Sequence, residues 1–166
     1  SGSEQPRLRI AVVAVITAAT VLLAWKAPEL PVDDLATRLS PGASIADFCA
    51  GAEEERVCLP SVAPWLEEGE HLVVITELDD DFGAAVESLN DYLLEQGELT
   101  VLSAAEAEEK NTFFWSWGPA FDITEAPQPL LRPLYRTLPR SFLVKDGEVV
   151  ETWAGLPTDR LGSGGE

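Results

Sequence analysis

Residues 136–153 of the chain read RTLPRSFLVKDGEVVETW, and this stretch decides the fold. The short apolar run Ser141–Val144 is typical of a β-strand. The Asp-Gly dipeptide at 146–147 suits a two-residue hairpin turn, because both central residues of that turn need a positive φ. Glu148–Trp153 then continues as the return strand. Pro139 lies directly before the first strand, where its fixed φ sets the direction of the chain and its missing N–H is tolerated.

A strand–helix–strand pattern precedes this hairpin. Leu72–Thr76 is a continuous apolar run rich in β-branched residues, as expected of a central strand. Phe82–Gln96 repeats apolar residues at helical spacing, and Gly97 follows at the position where a helix would end. Leu99–Leu102 is a second apolar run. This order predicts two parallel strands joined by a right-handed helical crossover.

The densest aromatic patch, FFWSW at residues 113–117, follows a predicted helix over residues 107–111. Ser103 and Glu106 have the spacing of a capping box for that helix. Aromatic rings usually fill a core, but tryptophans also anchor partners at exposed surfaces, and both interpretations are open. The candidate partner contacts in this patch are Trp115 and Trp117.

Three arginines recur at intervals of four in the segment that leads into the hairpin. Residues 129–137 have a helical character, and Pro133 should split or kink that helix. Ion pairing with the acidic body of the protein is one interpretation of the arginines, and contact with an acidic partner is the other. The candidate residues are Arg132, Arg136 and Arg140.

The chain is strongly acidic, with a formal net charge of −18 over 166 residues. Residues 1–26 contain Arg7, Arg9 and Lys26 against Glu4, a net charge of +2, so the remainder carries −20. A surface of this sign repels phosphate backbones and anionic lipid headgroups. We therefore expect no nucleic acid partner. A soluble acidic surface and recruitment of a basic partner both fit the charge.

Residues 10–26 are the only candidate for a membrane segment. Ile10–Trp25 is uncharged and sixteen residues long, which gives about 24 Å as a helix against the roughly 30 Å of a hydrocarbon core. Arg9 and Lys26 can extend the span by snorkelling, while Trp25 suits the headgroup region. A cleaved signal peptide is the alternative, but the sequence after Leu23 lacks a clean Ala-x-Ala site.

The charges that flank this segment predict its orientation. Arg7 and Arg9 precede it, so the positive-inside rule places the N-terminus in the cytoplasm and the rest of the chain in the periplasm. We expect a single-pass protein of the bacterial inner membrane that contacts the lipid bilayer through residues 10–26. The residues predicted at the membrane interface are Arg9, Trp25 and Lys26.

Cys49 and Cys58 are the only cysteines, and eight residues separate them. Outside the cytoplasm an isolated pair most often forms a structural disulfide. A redox-active pair is the alternative, although the spacing differs from the Cys-x-x-Cys arrangement that lowers a thiol pKa. A thiolate metal site is not expected, because His71 is the only histidine and methionine is absent.

Four motifs carry a resemblance to a known family: LNDY at 89–92, LRPLYRTLP at 131–139, KDG at 145–147 and Trp153 with Leu156-Pro157. Residues 71–157 resemble a thioredoxin-like domain, in particular the variant that follows DoxX-type membrane regions in some bacterial proteins. The resemblance implies a mixed sheet in which the Pro139 loop lies beside the first helix, with Pro139 a candidate cis proline. On general grounds a trans bond is also open.

This resemblance sets the expected fold class and domain organisation. The fold class is α/β, a thioredoxin-like mixed sheet with flanking helices, preceded by one N-terminal transmembrane helix. The predicted divisions are a cytoplasmic N-terminus at 1–9, the transmembrane helix at 10–26, a linker and N-terminal extension with a disulfide at 27–70, the thioredoxin-like domain at 71–157 and a flexible tail at 158–166.

The sequence departs from the family where the family does its chemistry. A working thioredoxin carries Cys-x-x-Cys between this first strand and its helix, but residues 76–82 read TELDDDF. Without a thiol there, disulfide exchange cannot occur at that place. The consecutive carboxylates Asp79–Asp81 point in different directions, unlike the spaced ligands of a calcium site. We expect neither a metal nor a cofactor.

The missing thiols, the aromatic patch and the predicted span lead to one main hypothesis. The chain would be a non-catalytic accessory or assembly subunit of a larger integral-membrane complex of respiratory or photosynthetic type. The alternative is a membrane-tethered periplasmic thiol–disulfide oxidoreductase that uses Cys49 and Cys58. A solute-binding module is a third possibility and would need a pocket beside Pro139.

Overall fold

The computed structural model describes residues 37–95 and 97–161. The predicted span at 10–26 and the interface residues Arg9, Trp25 and Lys26 lie outside the described residues. Within the described ranges, no helix has both the length and the apolar character needed to cross a bilayer. The strands are β1 (Cys49–Ala50), β2 (Val57–Cys58), β3 (Glu70–Ile75), β4 (Glu98–Ser103), β5 (Ile123–Glu125), β6 (Arg140–Lys145) and β7 (Glu148–Trp153). The α-helices are α1 (Leu59–Val62), α2 (Asp80–Gly83), α3 (Val86–Glu95), α4 (Ala107–Trp117) and α5 (Gln128–Leu131).

A five-stranded mixed sheet forms the centre of the fold, in the order β5-β4-β3-β6-β7. Strand β3 lies in the middle, parallel to β4 and antiparallel to β6. The crossover from β3 to β4 runs through α2 and α3, which confirms the predicted parallel pair. Strand β5 adds a second parallel neighbour to β4 at the edge.

The predicted hairpin is present as β6 and β7. Asp146 and Gly147 at its turn have φ values of 50° and 79°, so both adopt the left-handed region that the Asp-Gly pair predicted. The Asp146 carboxylate also accepts a hydrogen bond of 3.0 Å from the backbone N–H of Gly69. The turn is therefore tied to the segment that leads into β3.

Two helix predictions need correction. The helix predicted over residues 82–96 is divided into α2 and α3, which are separated at Ala84-Ala85. Helix α4 runs six residues beyond Asn111 and includes the whole aromatic patch. Its capping box is not Ser103 with Glu106: the backbone N–H of Glu106 donates to the side chain of Glu109 at 3.1 Å. The break predicted at Pro133 is confirmed, because α5 ends at Leu131 and a short 3-10 helix, Arg132–Leu134, follows it.

The sheet separates two clusters of buried apolar side chains, because successive strand residues point to opposite faces. On one face, Val73 and Ile75 of β3 pack with α1, α5 and the loops around them. On the other face, Leu72 and Val74 pack with Phe82 of α2 and with α3 and α4. The Phe82 ring stacks on Phe113 of α4 with centroids 5.7 Å apart. The loops that follow the strands therefore emerge from a sheet that is covered on both faces.

Candidate active site

Cys49 and Cys58 are joined in a disulfide. They face each other directly across the two-stranded ladder of β1 and β2, with Cα atoms 4.0 Å apart. Both cysteines are half-buried, and residues 51–56 between the strands are all exposed. The disulfide thus lies at the base of an exposed loop and not among the buried core residues.

The disulfide hairpin packs on the face of the sheet that carries α5. Ala50 and Val57, the sequence neighbours of the two cysteines, pack against a core cluster that includes Leu130 and Leu131. Strand β1 contacts α5 itself. The backbone N–H of Leu59 donates to the carbonyl of Phe48 at 2.8 Å and closes the base of the hairpin. The disulfide hairpin and α5 are therefore in direct contact, so a rearrangement of the hairpin backbone would act on α5.

A cavity of about 380 Å³ opens at the carboxyl ends of β3 and β4. This edge is where ligands bind in many α/β sheets, because the loops that follow parallel strands meet there. Leu138 contributes to the wall, and the Leu138–Pro139 peptide bond that follows it is cis. The lining residues are Ile75, Thr76, Glu77, Asp79, Ser103, Ala104, Ala105, Glu109, Gln128, Leu131, Tyr135 and Leu138.

Hydrogen bonds hold the polar part of this cavity in place. The Tyr135 hydroxyl lies 2.8 Å from Nε2 of Gln128, which donates to it. Arg132 donates from Nη1 to the Tyr135 carbonyl at 3.0 Å, and its guanidinium stands 5.3 Å from the centroid of the tyrosine ring. The Ser103 hydroxyl accepts from the backbone N–H of Ala105 at 3.1 Å. These contacts stabilise the cavity wall that α5 and the residues after it form.

The loop between β3 and α2 occupies the position of the thioredoxin active site and carries carboxylates. The Asp79 side chain accepts a hydrogen bond of 2.8 Å from the backbone N–H of Phe82 and caps α2. Leu78 adopts a positive φ of 61°, an uncommon conformation for a side chain of this kind. Among residues 37–95 and 97–161, no group of three or more candidate ligands could hold a metal ion. The loop can present hydrogen-bond acceptors and negative charge, but it has no sulfur nucleophile.

The remaining predicted contact residues differ in accessibility. Trp115 is 80% exposed and Trp117 is 39% exposed, so the aromatic patch is only partly a core element; Phe113 alone in this patch is buried. Arg140 is only 2% exposed, within β6, and its inclusion among the partner contacts was wrong for that reason. Arg136 is exposed, whereas Arg132 is engaged with Tyr135 as described above.

Sequence reasoning missed the cavity and most of its lining. Thr76, Ser103 and Tyr135 are separated by dozens of positions, and only the sheet brings them together. One signal was present in the sequence: a small polar residue follows each of two neighbouring apolar strand runs. Such residues at the carboxyl ends of parallel strands indicate a site at that edge.

Comparison with known proteins supports the fold. No family model and no curated protein matches the chain. Among solved structures, the chain is similar to a protein described as the thiol:disulfide interchange protein DsbE from Chlorobium tepidum, with a TM-score of 0.55, 14% identity and coverage of 74% of this chain and 91% of that one. It is also similar to the thioredoxin domain of a thiol-disulfide oxidoreductase from Bacteroides vulgatus, with a TM-score of 0.54, 13% identity and coverage of 74% and 93%.

These similarities confirm the predicted thioredoxin-like α/β fold with flanking helices. They do not show the association with DoxX-type regions. The main functional hypothesis, a non-catalytic subunit of a larger membrane complex, is wrong: both of these structural neighbours are named for thiol–disulfide exchange, and nothing in the described residues points to such a complex.

Proposed function

We propose that this chain is a thiol–disulfide exchange protein in which Cys49 and Cys58 are the redox pair. The observation that carries this proposal is the position of the disulfide, half-exposed on a hairpin that packs on α5. Helix α5 contributes Gln128 and Leu131 to the cavity beside the cis proline. The disulfide hairpin and the cavity thus share contacts with one short helix, α5. The two sulfur atoms nevertheless lie outside the loop between β3 and α2, where thioredoxins carry their cysteines.

The exchange proceeds in two steps that conserve electrons. A thiolate of the partner attacks one sulfur of the Cys49–Cys58 bond; a mixed disulfide forms, and the electron pair of the broken bond leaves with the other cysteine as a thiolate. A second partner thiolate then attacks the mixed disulfide. The partner leaves oxidised, both cysteines are reduced, and a small-molecule disulfide such as oxidised glutathione returns them to the starting state.

The cavity beside Pro139 would hold the partner polypeptide during exchange. Its wall combines apolar surface from Ile75, Leu131 and Leu138 with hydrogen-bonding groups of Thr76 and Gln128. Such a mixture of apolar area and a few placed polar groups suits a side chain and its adjoining backbone. The names of the two structural neighbours, an interchange protein and an oxidoreductase, support the same activity.

A periplasmic location tethered through residues 10–26 belongs to this proposal. Disulfides form and persist in the periplasm and are rare in the cytosol. The predicted orientation places the disulfide hairpin on that side of the membrane. The sequence resemblance to the domain that follows DoxX-type regions agrees with a membrane-associated role.

The proposal is tested by mixing the oxidised chain with a reduced dithiol peptide and following mixed disulfides by acid quenching and intact mass. The wild-type chain should oxidise the peptide. The single variants Cys49→Ser and Cys58→Ser should each accumulate a mixed disulfide with a peptide that has one cysteine, supplied as its glutathione disulfide, because neither the chain nor the peptide then holds a second thiol to break the bond. The double variant should be inert.

The control is the same chain unfolded in urea, in which the disulfide is accessible but the fold is absent. Exchange with the folded protein should be faster than with the unfolded one, since the fold positions both partner and disulfide. A slower reaction in the folded state would mean that the disulfide is a protected structural crosslink, and the proposal would be abandoned.

A further inference from the structure

We propose that a groove beside α4 binds a basic segment of a polypeptide. The groove has a volume of about 490 Å³ and lies between the loop after β3 and the exposed side of α4. This inference deepens the proposed function by naming the class of its polypeptide partner, and it rests on that function only in supposing that the bound segment is a substrate. The groove lining comprises Glu77, Leu78, Asp80, Glu106, Glu108, Glu109, Thr112, Phe113, Ser116 and Trp117.

Helix α4 presents an unusually bare surface for a helix of its length. Of its residues 107–117, only Phe113 is buried. Phe114 is 49% exposed and Trp115 is 80% exposed, and their rings meet edge to face with centroids 6.1 Å apart. Large apolar side chains grouped on one exposed element mark binding surfaces more often than ordinary solvent-facing ones. This aromatic side of α4 therefore lacks a cover within the described part of the chain.

The negative charge of the groove favours a cationic occupant. Five of the ten lining residues are acidic and none is basic. None of the five carboxylates forms an ion pair with a lysine or arginine among residues 37–95 and 97–161. The nearest lysine in the helix, Lys110, pairs with Glu125 at 2.7 Å. A cationic occupant would relieve the repulsion among these carboxylates.

The aromatic side chains match the same occupant. Residues 108, 112 and 115 lie on one stripe of α4, because positions three and four apart are neighbours on a helix. Trp115 thus lies on the same stripe of the helix as Glu108 and Thr112, which line the groove, and Trp117 forms part of the groove wall. Lysine and arginine side chains place their cations over tryptophan faces and their methylene stems along apolar surface.

The groove adjoins the cavity beside the cis proline. Glu77 and Glu109 line both of them. An occupant that enters the cavity can therefore extend along α4 without leaving the surface. This elongated path favours a polypeptide segment over a compact cation, with its basic residues along α4 and another part in the cavity.

The test is a titration of the oxidised chain, with its Cys49–Cys58 disulfide intact, with a short synthetic peptide of alternating lysine and alanine, followed by calorimetry. A peptide in which glutamate replaces lysine serves as the charge control, and spermine serves as the compact cation. We expect saturable binding of the lysine peptide alone, weakened by salt. Because these peptides contain no cysteine, a failure to bind is distinguishable from a failure of disulfide exchange.

Two matched triple variants locate the binding. Glu77→Gln, Asp80→Asn and Glu108→Gln remove three charges from the groove, and we expect about ten-fold weaker binding. Glu87→Gln, Asp91→Asn and Glu95→Gln remove the same charges from exposed positions of α3, and we expect less than about two-fold change. The exposed Trp115→Ala variant should weaken binding about three-fold. Equal loss in both triple variants, equal affinity for spermine or no binding of the lysine peptide would overturn the proposal.

Discussion

The fold alters the ionisation of Tyr92, a buried residue of α3. Burial raises the pKa of its hydroxyl above the ordinary value of 10.0; the guanidinium of Arg160 opposes this rise, and Glu70 adds to it. Above pH 10 the unfolded chain releases the Tyr92 proton before the folded chain does. The free energy of unfolding should therefore fall as the pH rises through this range.

This expectation is checked with Tyr92→Phe, which keeps the ring and removes the ionisable group. Urea unfolding of both proteins on either side of pH 10 gives the comparison. The variant should lose less stability than the wild type as the pH rises, because it lacks the hydroxyl whose ionisation is opposed by burial in the folded state. Parallel pH profiles would show that burial of this hydroxyl is not linked to stability.

At the scale of the element, helices α2 and α4 pack closely against each other at Gly83. A Cβ atom on Gly83 would collide with the indole ring of Trp117, whereas a Cβ on Gly155 would meet nothing within 4 Å. We expect Gly83→Ala to lower the free energy of unfolding by about 1–3 kcal/mol, because the ring must move off the helix. Gly155→Ala, the matched control, should change it by less than about 0.5 kcal/mol. Similar urea midpoints for the two variants would contradict this packing.

The elements that could be predicted from the sequence are those specified by local patterns. The β6–β7 hairpin followed from the Asp-Gly pair at 146–147, and β3 followed from its unbroken β-branched run. Strand β5 was missed because its three residues, Ile123–Glu125, show no periodicity of their own and are a strand only because β4 lies beside them. Helix α4 was predicted too short, because the aromatic patch at 113–117 has no helical pattern of buried residues.

The candidate site was less predictable than the elements for the same reason. Cys49 and Cys58 were identified as a pair, yet their position beside α5 depends on long-range packing that spacing does not encode. The cavity arises where loops meet at one edge of the sheet, and the acidic groove arises between one of these loops and α4. The sequence signals for that edge were Pro139 before β6 and the small polar residues Thr76 and Ser103 after β3 and at the end of β4.

At the scale of the whole molecule, the fold is thioredoxin-like, but the two sulfur atoms lie outside the loop between β3 and α2. The loop between β3 and α2 carries Asp79–Asp81 and no cysteine, and the disulfide lies on the hairpin of β1 and β2, which contacts α5. The net charge of −18 and the acidic groove together favour encounter with basic partners. Binding and exchange would then occupy neighbouring parts of one surface.

The most direct test of this account is the reduction potential of the Cys49–Cys58 pair, measured by equilibration with glutathione and mass spectrometry of the trapped thiols. A pair that exchanges with partners should have a potential between about −120 and −270 mV, the range of known exchange proteins. A value below about −300 mV, typical of structural disulfides, would contradict the account.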